Sequence, residues 1–139
     1  MYLYSNGEAS TGVYLSTGSG SWASVSDREA KTGFAAVDGA GVLDKLVAIP
    51  ITSWSYKSER AVRHISPMAQ DLYAAFGLGD SDRTICTIDG IGLSMAAIQG
   101  LYQRNRELRE QVERRDGEID SLKERVSALE AALGALGGR

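Results

Sequence analysis

The stretch SWASVSDREAKTGF places Ser26 and Lys31 five positions apart, where a Ser/Gly-rich run ends and charged residues begin. A serine is a poor nucleophile until a base takes its proton. A lysine serves as that base only where desolvation or a nearby cation favours its neutral amine. Five positions do not align two side chains on a regular helix or on one face of a strand. The pair meets only through a turn or across a subunit boundary. A non-catalytic reading stands beside this one. SDRE has the Ser-x-x-Glu form of a capping box, with Ser26 opening a helix and Glu29 reaching back. Asp27 and Lys31 are then an i,i+4 pair on that helix.

The rest of the composition narrows the chemistry. The chain has 139 residues, enough for one modest domain. Fifteen basic and eighteen acidic residues leave a net charge of −3, which gives no electrostatic case for nucleic acid or an anionic membrane. A single cysteine, Cys86, forbids an intrachain disulfide, and with only one histidine it argues against a zinc site. No metal or cofactor is expected. No stretch approaches the ~20 apolar residues that span a bilayer. MYLYSNGEAS lacks the basic and apolar regions of a secretory signal, so any export is expected to use another route or a longer parent chain.

Several elements must position the pair. Residues 1–25 are rich in Ser, Gly, Thr and Tyr. They predict two short strands, Val13–Leu15 and one near Trp22, joined by a Gly/Ser turn. Such a hairpin is marginal alone and is expected to continue β-structure from upstream. DGAGVLDKLVAI sets Val42, Leu43, Leu46 and Val47 at helical spacing before Pro50. ITSWSYKS alternates as a strand, with Thr52, Trp54 and Tyr56 on one face. SPMAQDLYAAFGLG predicts a helix with Pro67 near its start and Gly77 at its end. RTICTID reads as a strand that holds Cys86 as an inert core thiol, and Asp89 as the cap of the next helix.

The strongest periodic signal follows. With Ile98 as position a, the a residues are Ile98, Asn105, Val112, Ile119, Val126 and Leu133. The d residues are Leu101, Leu108, Arg115, Leu122, Leu129 and Leu136. An unbroken 3.5 period of this length specifies a left-handed coiled coil. In a parallel, in-register coil Glu118 faces Lys123 and Arg125 faces Glu130, both attractive, while Arg104 faces Arg109. The a/d composition and the single Asn105 lean toward two strands, a preference that a globular head can override. Arg115 is the weak point of the seam.

SWASVSDREAKTGFAAVDGAGVLDKLVAIPITSWSYKSE, RHISPMAQDLYAAFGLG and TIDGIGLSMAAIQGLYQ occur in this order. Together they resemble the C-terminal intramolecular chaperone domain that closes phage endosialidases, tailspikes, tail fibres and neck appendages. Relatives of that domain occur in bacterial proteins and in the eukaryotic myelin regulatory factors. The resemblance runs from about Trp22 to the end of the chain. It implies a homotrimer that folds an upstream β-rich stalk and then cuts itself off by a serine/lysine self-cleavage. Carried over, Ser26 is the nucleophile, Lys31 the general base and Val25–Ser26 the scissile bond. Arg63 and His64 lie in a motif that reads Arg-His-Ile-Gly in relatives, with Ser66 here in place of the glycine; His64 is a candidate supporting residue and Arg63 its neighbour.

The expected fold is α+β: an N-terminal β-hairpin segment (residues 1–25), a small mixed head (26–97), and a long C-terminal helix (98–139) forming a parallel trimeric coiled coil. The expected function is an intramolecular chaperone and single-turnover serine endopeptidase. Its partners are its own copies and the upstream stalk, with no nucleic acid and no membrane. The expected setting is a virion tail-fibre or tailspike precursor processed in the bacterial host cytoplasm, or a prophage-derived or bacterial surface protein. The alternatives are a non-cleaving trimerisation cap and a coiled-coil adaptor. Retention of both Ser26 and Lys31 favours the cleaving form.

Overall fold

The computed structural model describes residues 1–5 and 10–137. The chain opens with three short strands, β1 (Tyr2–Tyr4), β2 (Gly12–Tyr14) and β3 (Ala23–Ser24), in an antiparallel sheet ordered β1-β2-β3. The two expected strands are β2 and β3; β1 is an addition. Its pairing sets Tyr2 opposite Tyr14, and the Tyr2 ring stacks on Tyr14 and Tyr4 at centroid distances of 5.2 and 5.7 Å. Aromatic cross-strand pairs of this kind steady a small sheet.

Helix α1 (Gly39–Val47) starts where the Asp38 carboxylate accepts the Ala40 N–H at 3.1 Å. Val42, Leu43 and Leu46 are half-buried, as the periodicity requires, while Val47 is exposed. Strands β4 (Thr52–Tyr56) and β5 (Glu59–Ser66) form an antiparallel hairpin with Trp54 opposite His64 and a bulge before Tyr56. Helix α2 (Ala69–Phe76) ends at Gly77, whose φ of 63° lets its N–H return to the Tyr73 carbonyl at 2.7 Å.

Helix α3 (Thr87–Gly137) is continuous for about 77 Å and crosses residue 98 without a break. It corrects one expectation: RTICTID is not a strand. Residues 84–86 are irregular, and the first helical bond runs from the Gly90 N–H to the Cys86 carbonyl at 3.1 Å. Asp89 therefore lies inside the first turn, beside the positive end of the helix dipole, rather than at the cap. Among the described residues the only sheet nearby in sequence is the two-stranded β4–β5 hairpin, so the β-branched residues Thr84, Ile85 and Thr87 have no ladder to join.

The buried apolar core among the described residues is small: Ile49, Leu72, Leu93 and Ala97. It lies where the end of α1, helix α2 and the start of α3 converge. The most extensive contact between helices is α1 on α3. Two glycines allow it. A Cβ on Gly39 would sit 2.7 Å from the Ala96 carbonyl oxygen, and a Cβ on Gly100 would overlap the Gly39 carbonyl. Further out, Arg104 Nη2 of α3 binds Asp44 Oδ2 of α1 at 2.6 Å. That hydrogen bond holds the Asp44 carboxyl below the usual carboxylate range and raises the Arg104 guanidinium further. It also gives Arg104 a counter-ion within its own chain, which offsets the Arg104–Arg109 repulsion anticipated for the coil.

Beyond this crossing, no other element among the described residues packs extensively on α3. The apolar a and d residues from Ile98 to Leu136 range from 47% exposed at Ile119 to 74% at Leu136. No helix among the described residues is long and apolar enough to cross a membrane.

Two outcomes follow for the helix crossing. Gly100→Ala forces α1 off α3 and lowers stability by about 1–3 kcal/mol, read from thermal melts at fixed protein concentration. The Asp44 contribution is present at neutral pH and fades as pH falls through its depressed pKa. The melting temperature of the native chain should therefore drop on acidification below about pH 4 slightly more than that of Asp44→Asn.

Candidate active site

The N-terminal sheet ends at the residue before the candidate nucleophile. The Val25 N–H donates to the Gly12 carbonyl at 2.8 Å, continuing the β2–β3 pairing, and Val25 is half-buried. Ser26 is the first residue past this bond and is exposed.

From there the chain makes a tight turn. Asp27 Oδ1 accepts the Glu29 N–H at 3.0 Å. The Ala30 N–H donates to the Asp27 carbonyl at 3.3 Å, and the Lys31 N–H to the Arg28 carbonyl at 3.1 Å. Aspartate often starts a turn in this way, by bonding its own backbone two residues on. Arg28 then lies over the Phe34 ring, 5.3 Å from its centroid, which ties the far side of the loop. The turn does what a helix or strand cannot: it brings Lys31 Nζ to 2.6 Å from Ser26 Oγ.

The capping-box alternative is not realised here. No helix starts at Ser26, the Glu29 N–H goes to Asp27, and the Lys31 ammonium goes to Ser26 rather than to Asp27. The two side chains are both exposed. The N–H groups of Asp27 and Arg28 make no hydrogen bond among the described residues.

The other candidates lie on the β4–β5 hairpin. Arg63 Nη2 donates to Ser53 Oγ at 2.8 Å. The His64 ring packs on Trp54 and Tyr56 at centroid distances of 4.7 and 5.5 Å, and Trp54 meets Tyr56 edge-on at 4.9 Å. Thus the fold joins Ser26 to Lys31, and it joins Arg63 and His64 to β4. Ser66 also has a defined place. Its hydroxyl accepts the Trp54 indole N–H at 2.9 Å and donates to the Pro67 carbonyl at 2.9 Å, so the hairpin closes through a serine side chain. Cys86 is exposed, which corrects its placement in a core strand. Trp22 and Tyr56 are exposed as well, at 49% and 58%.

Sequence reasoning did not reach Asp27 as the residue that shapes the turn, although an aspartate two positions before an N–H donor is the ordinary signal for one. It also did not reach Asp44, whose partner is 60 residues away. No group of three or more His, Cys, Asp or Glu side chains among the described residues is placed to hold a metal ion.

No curated protein and no solved structure matches the chain. Residues 26–77 match the model of the peptidase S74 family, described as the chaperone of endosialidase. The match opens on Ser26 and closes on Gly77, the residue that ends α2. The Ser26 turn, α1, the β4–β5 hairpin and α2 all lie inside that match, so residues 26–77 are similar to the chaperone-of-endosialidase family, the C-terminal intramolecular chaperone domains.

Proposed function

We propose that the chain trimerises and folds an upstream β-rich stalk, then releases itself by cutting its own Val25–Ser26 bond. The observation that carries this reading is the 2.6 Å contact between Lys31 Nζ and Ser26 Oγ, at the point where the chain leaves the N-terminal sheet. As an ammonium, Nζ donates to Oγ. As a free amine it accepts the hydroxyl proton along the same line. The alkoxide then attacks the Val25 carbonyl carbon, either on its own chain as an N→O acyl shift or on a neighbouring chain. The Val25–Ser26 C–N bond breaks and Lys31 returns the proton to the departing amine. Water then hydrolyses the ester, freeing the Val25 carboxylate and restoring the Ser26 hydroxyl. The unused N–H groups of Asp27 and Arg28 are available donors for the oxyanion.

Assembly completes this site. A lysine acts as base only where desolvation or a nearby cation favours its neutral amine, and Lys31 is exposed in the single chain. The apolar stripe of α3 supplies the drive to associate. An apolar groove beside it, lined by Leu46, Val47, Ile51, Ile91 and Met95, runs into the stripe through Ile98. Three copies closing on this surface bury both and bring cover to the Ser26 turn. The stalk stays behind as a trimer, in the setting of a phage tail fibre or tailspike precursor.

A second reading is a trimerisation cap in which the Ser26–Lys31 bond only pins the turn. The exposure of both side chains favours it. The two readings part on kinetics. Lys31→Met should slow the appearance of a fragment beginning at Ser26 by about 100-fold or more while leaving the helical circular dichroism unchanged. In the cap reading no such fragment forms from any variant. Coupling to assembly is tested by Leu108→Asp combined with Leu122→Asp. This variant should elute as a monomer and lose cleavage; cleavage at the native rate in a monomer would refute the coupling.

A further inference from the structure

The intrachain pairs on the free part of α3 leave the seam alone. Arg106 binds Glu110 at 3.6 Å, Lys123 binds Asp120 at 3.0 Å, and Gln103 binds Glu107 at 3.4 Å. In the heptad these residues occupy outer and flanking positions. Asn105 and Arg115, the two polar residues on the a/d stripe, make no side-chain hydrogen bond or ion pair among the described residues, and both are exposed. Asp116, at the e position beside Arg115, has no ion pair either.

A helix of this length places these groups at fixed heights. Asn105 and Arg115 are about 15 Å apart along the axis. In a parallel, in-register coil the Asn105 side chains meet one another. Each Arg115 knob enters a hole on the next helix, and the wall of that hole includes that helix's Asp116. The g residue that faces Asp116 is Gln111, which is neutral, so Asp116 is not already claimed across the interface. A slip of one heptad sets Asn105 against Val112 and Arg115 against Leu122, and it separates Arg115 from Asp116. Each misplaced guanidinium is then buried without a partner, which costs far more than the pairing gains.

We propose that Asn105 and the Arg115–Asp116 contact between neighbouring helices form the register lock of the coil. They select the parallel, in-register assembly and weaken it relative to an all-apolar seam. The inference rests on the self-association proposed above and adds what aligns the copies. Register matters for this fold because α3 carries α1 on its first turns through the Gly39–Gly100 crossing. A slipped coil displaces the heads, and with them the Ser26 turns, by about 10 Å per heptad.

The test uses the full chain with Ser26→Ala and Cys86→Ser to keep it intact and free of native thiol. A spin label on Glu124→Cys, an outer position, reports the distances between copies. The lock predicts one narrow distance distribution for this background. Asn105→Ile with Arg115→Leu should raise the melting temperature by about 5 °C or more and add a second, longer-distance population from copies offset by about 10 Å along the axis. Asp116→Asn removes a charge that has no ion pair within its own helix, and should lower the melting temperature only through the assembled state. An unchanged distribution in the Asn105/Arg115 double variant overturns the lock, whatever its melting temperature does. So does an Asp116→Asn chain that melts as the background does. A background chain that stays monomeric sinks the underlying assembly and the lock with it.

Discussion

A long apolar stripe with nothing to cover it governs this chain. The a and d side chains of α3 remain about half exposed or more from Ile98 onward, while the described head buries only Ile49, Leu72, Leu93 and Ala97. A core of that size cannot offset the conformational entropy of ordering the whole head and a helix of about 77 Å. In the proposed assembly the missing burial comes from other copies. On that proposal folding and association are one event, as in obligate oligomers whose stability depends on protomer concentration.

The head is built to transmit that event. Gly39 and Gly100 let α1 lie directly on α3, and the Asp44–Arg104 contact ties the two a turn further on. Residues 32–38 join α1 back to the Ser26 turn, so the proposed nucleophile is a short chain distance from α3. On its other side, Val25 is hydrogen-bonded into the N-terminal sheet. Ser26 thus stands between the helical head with its uncovered apolar stripe and the N-terminal sheet. A cut at that point separates the part that drives assembly from the part that is assembled.

Much of this was legible in the sequence, and for physical reasons. A 3.5-residue period is a local property repeated many times, so α3 is visible from Ile98 on. The helical spacing of Val42, Leu43 and Leu46 before Pro50, and Gly77 as a helix end, made α1 and α2 accessible too. The Ser26–Lys31 spacing excluded a helix or strand and left a turn or a subunit boundary, and within the chain a turn brings the pair together. What stayed hidden depends on partners distant in the chain or on competing preferences. Strand β5 carries Glu59, Arg60, Arg63 and His64 without clean alternation and takes its form from pairing with β4. Thr84 and Ile85 favour a strand but have no edge beside them, so the chain goes into α3 and leaves Cys86 exposed. No local pattern announces that Asp44 will meet Arg104.

The central claim is a bond broken at Ser26 in an assembled trimer. The most direct measurement is the intact mass of the native chain after folding, taken on the same sample whose molar mass is read by light scattering. The account predicts a trimer and two masses, one ending at Val25 and one beginning at Ser26, with Ser26→Ala remaining whole. A native chain that forms the trimer and stays at full length through prolonged incubation would contradict it.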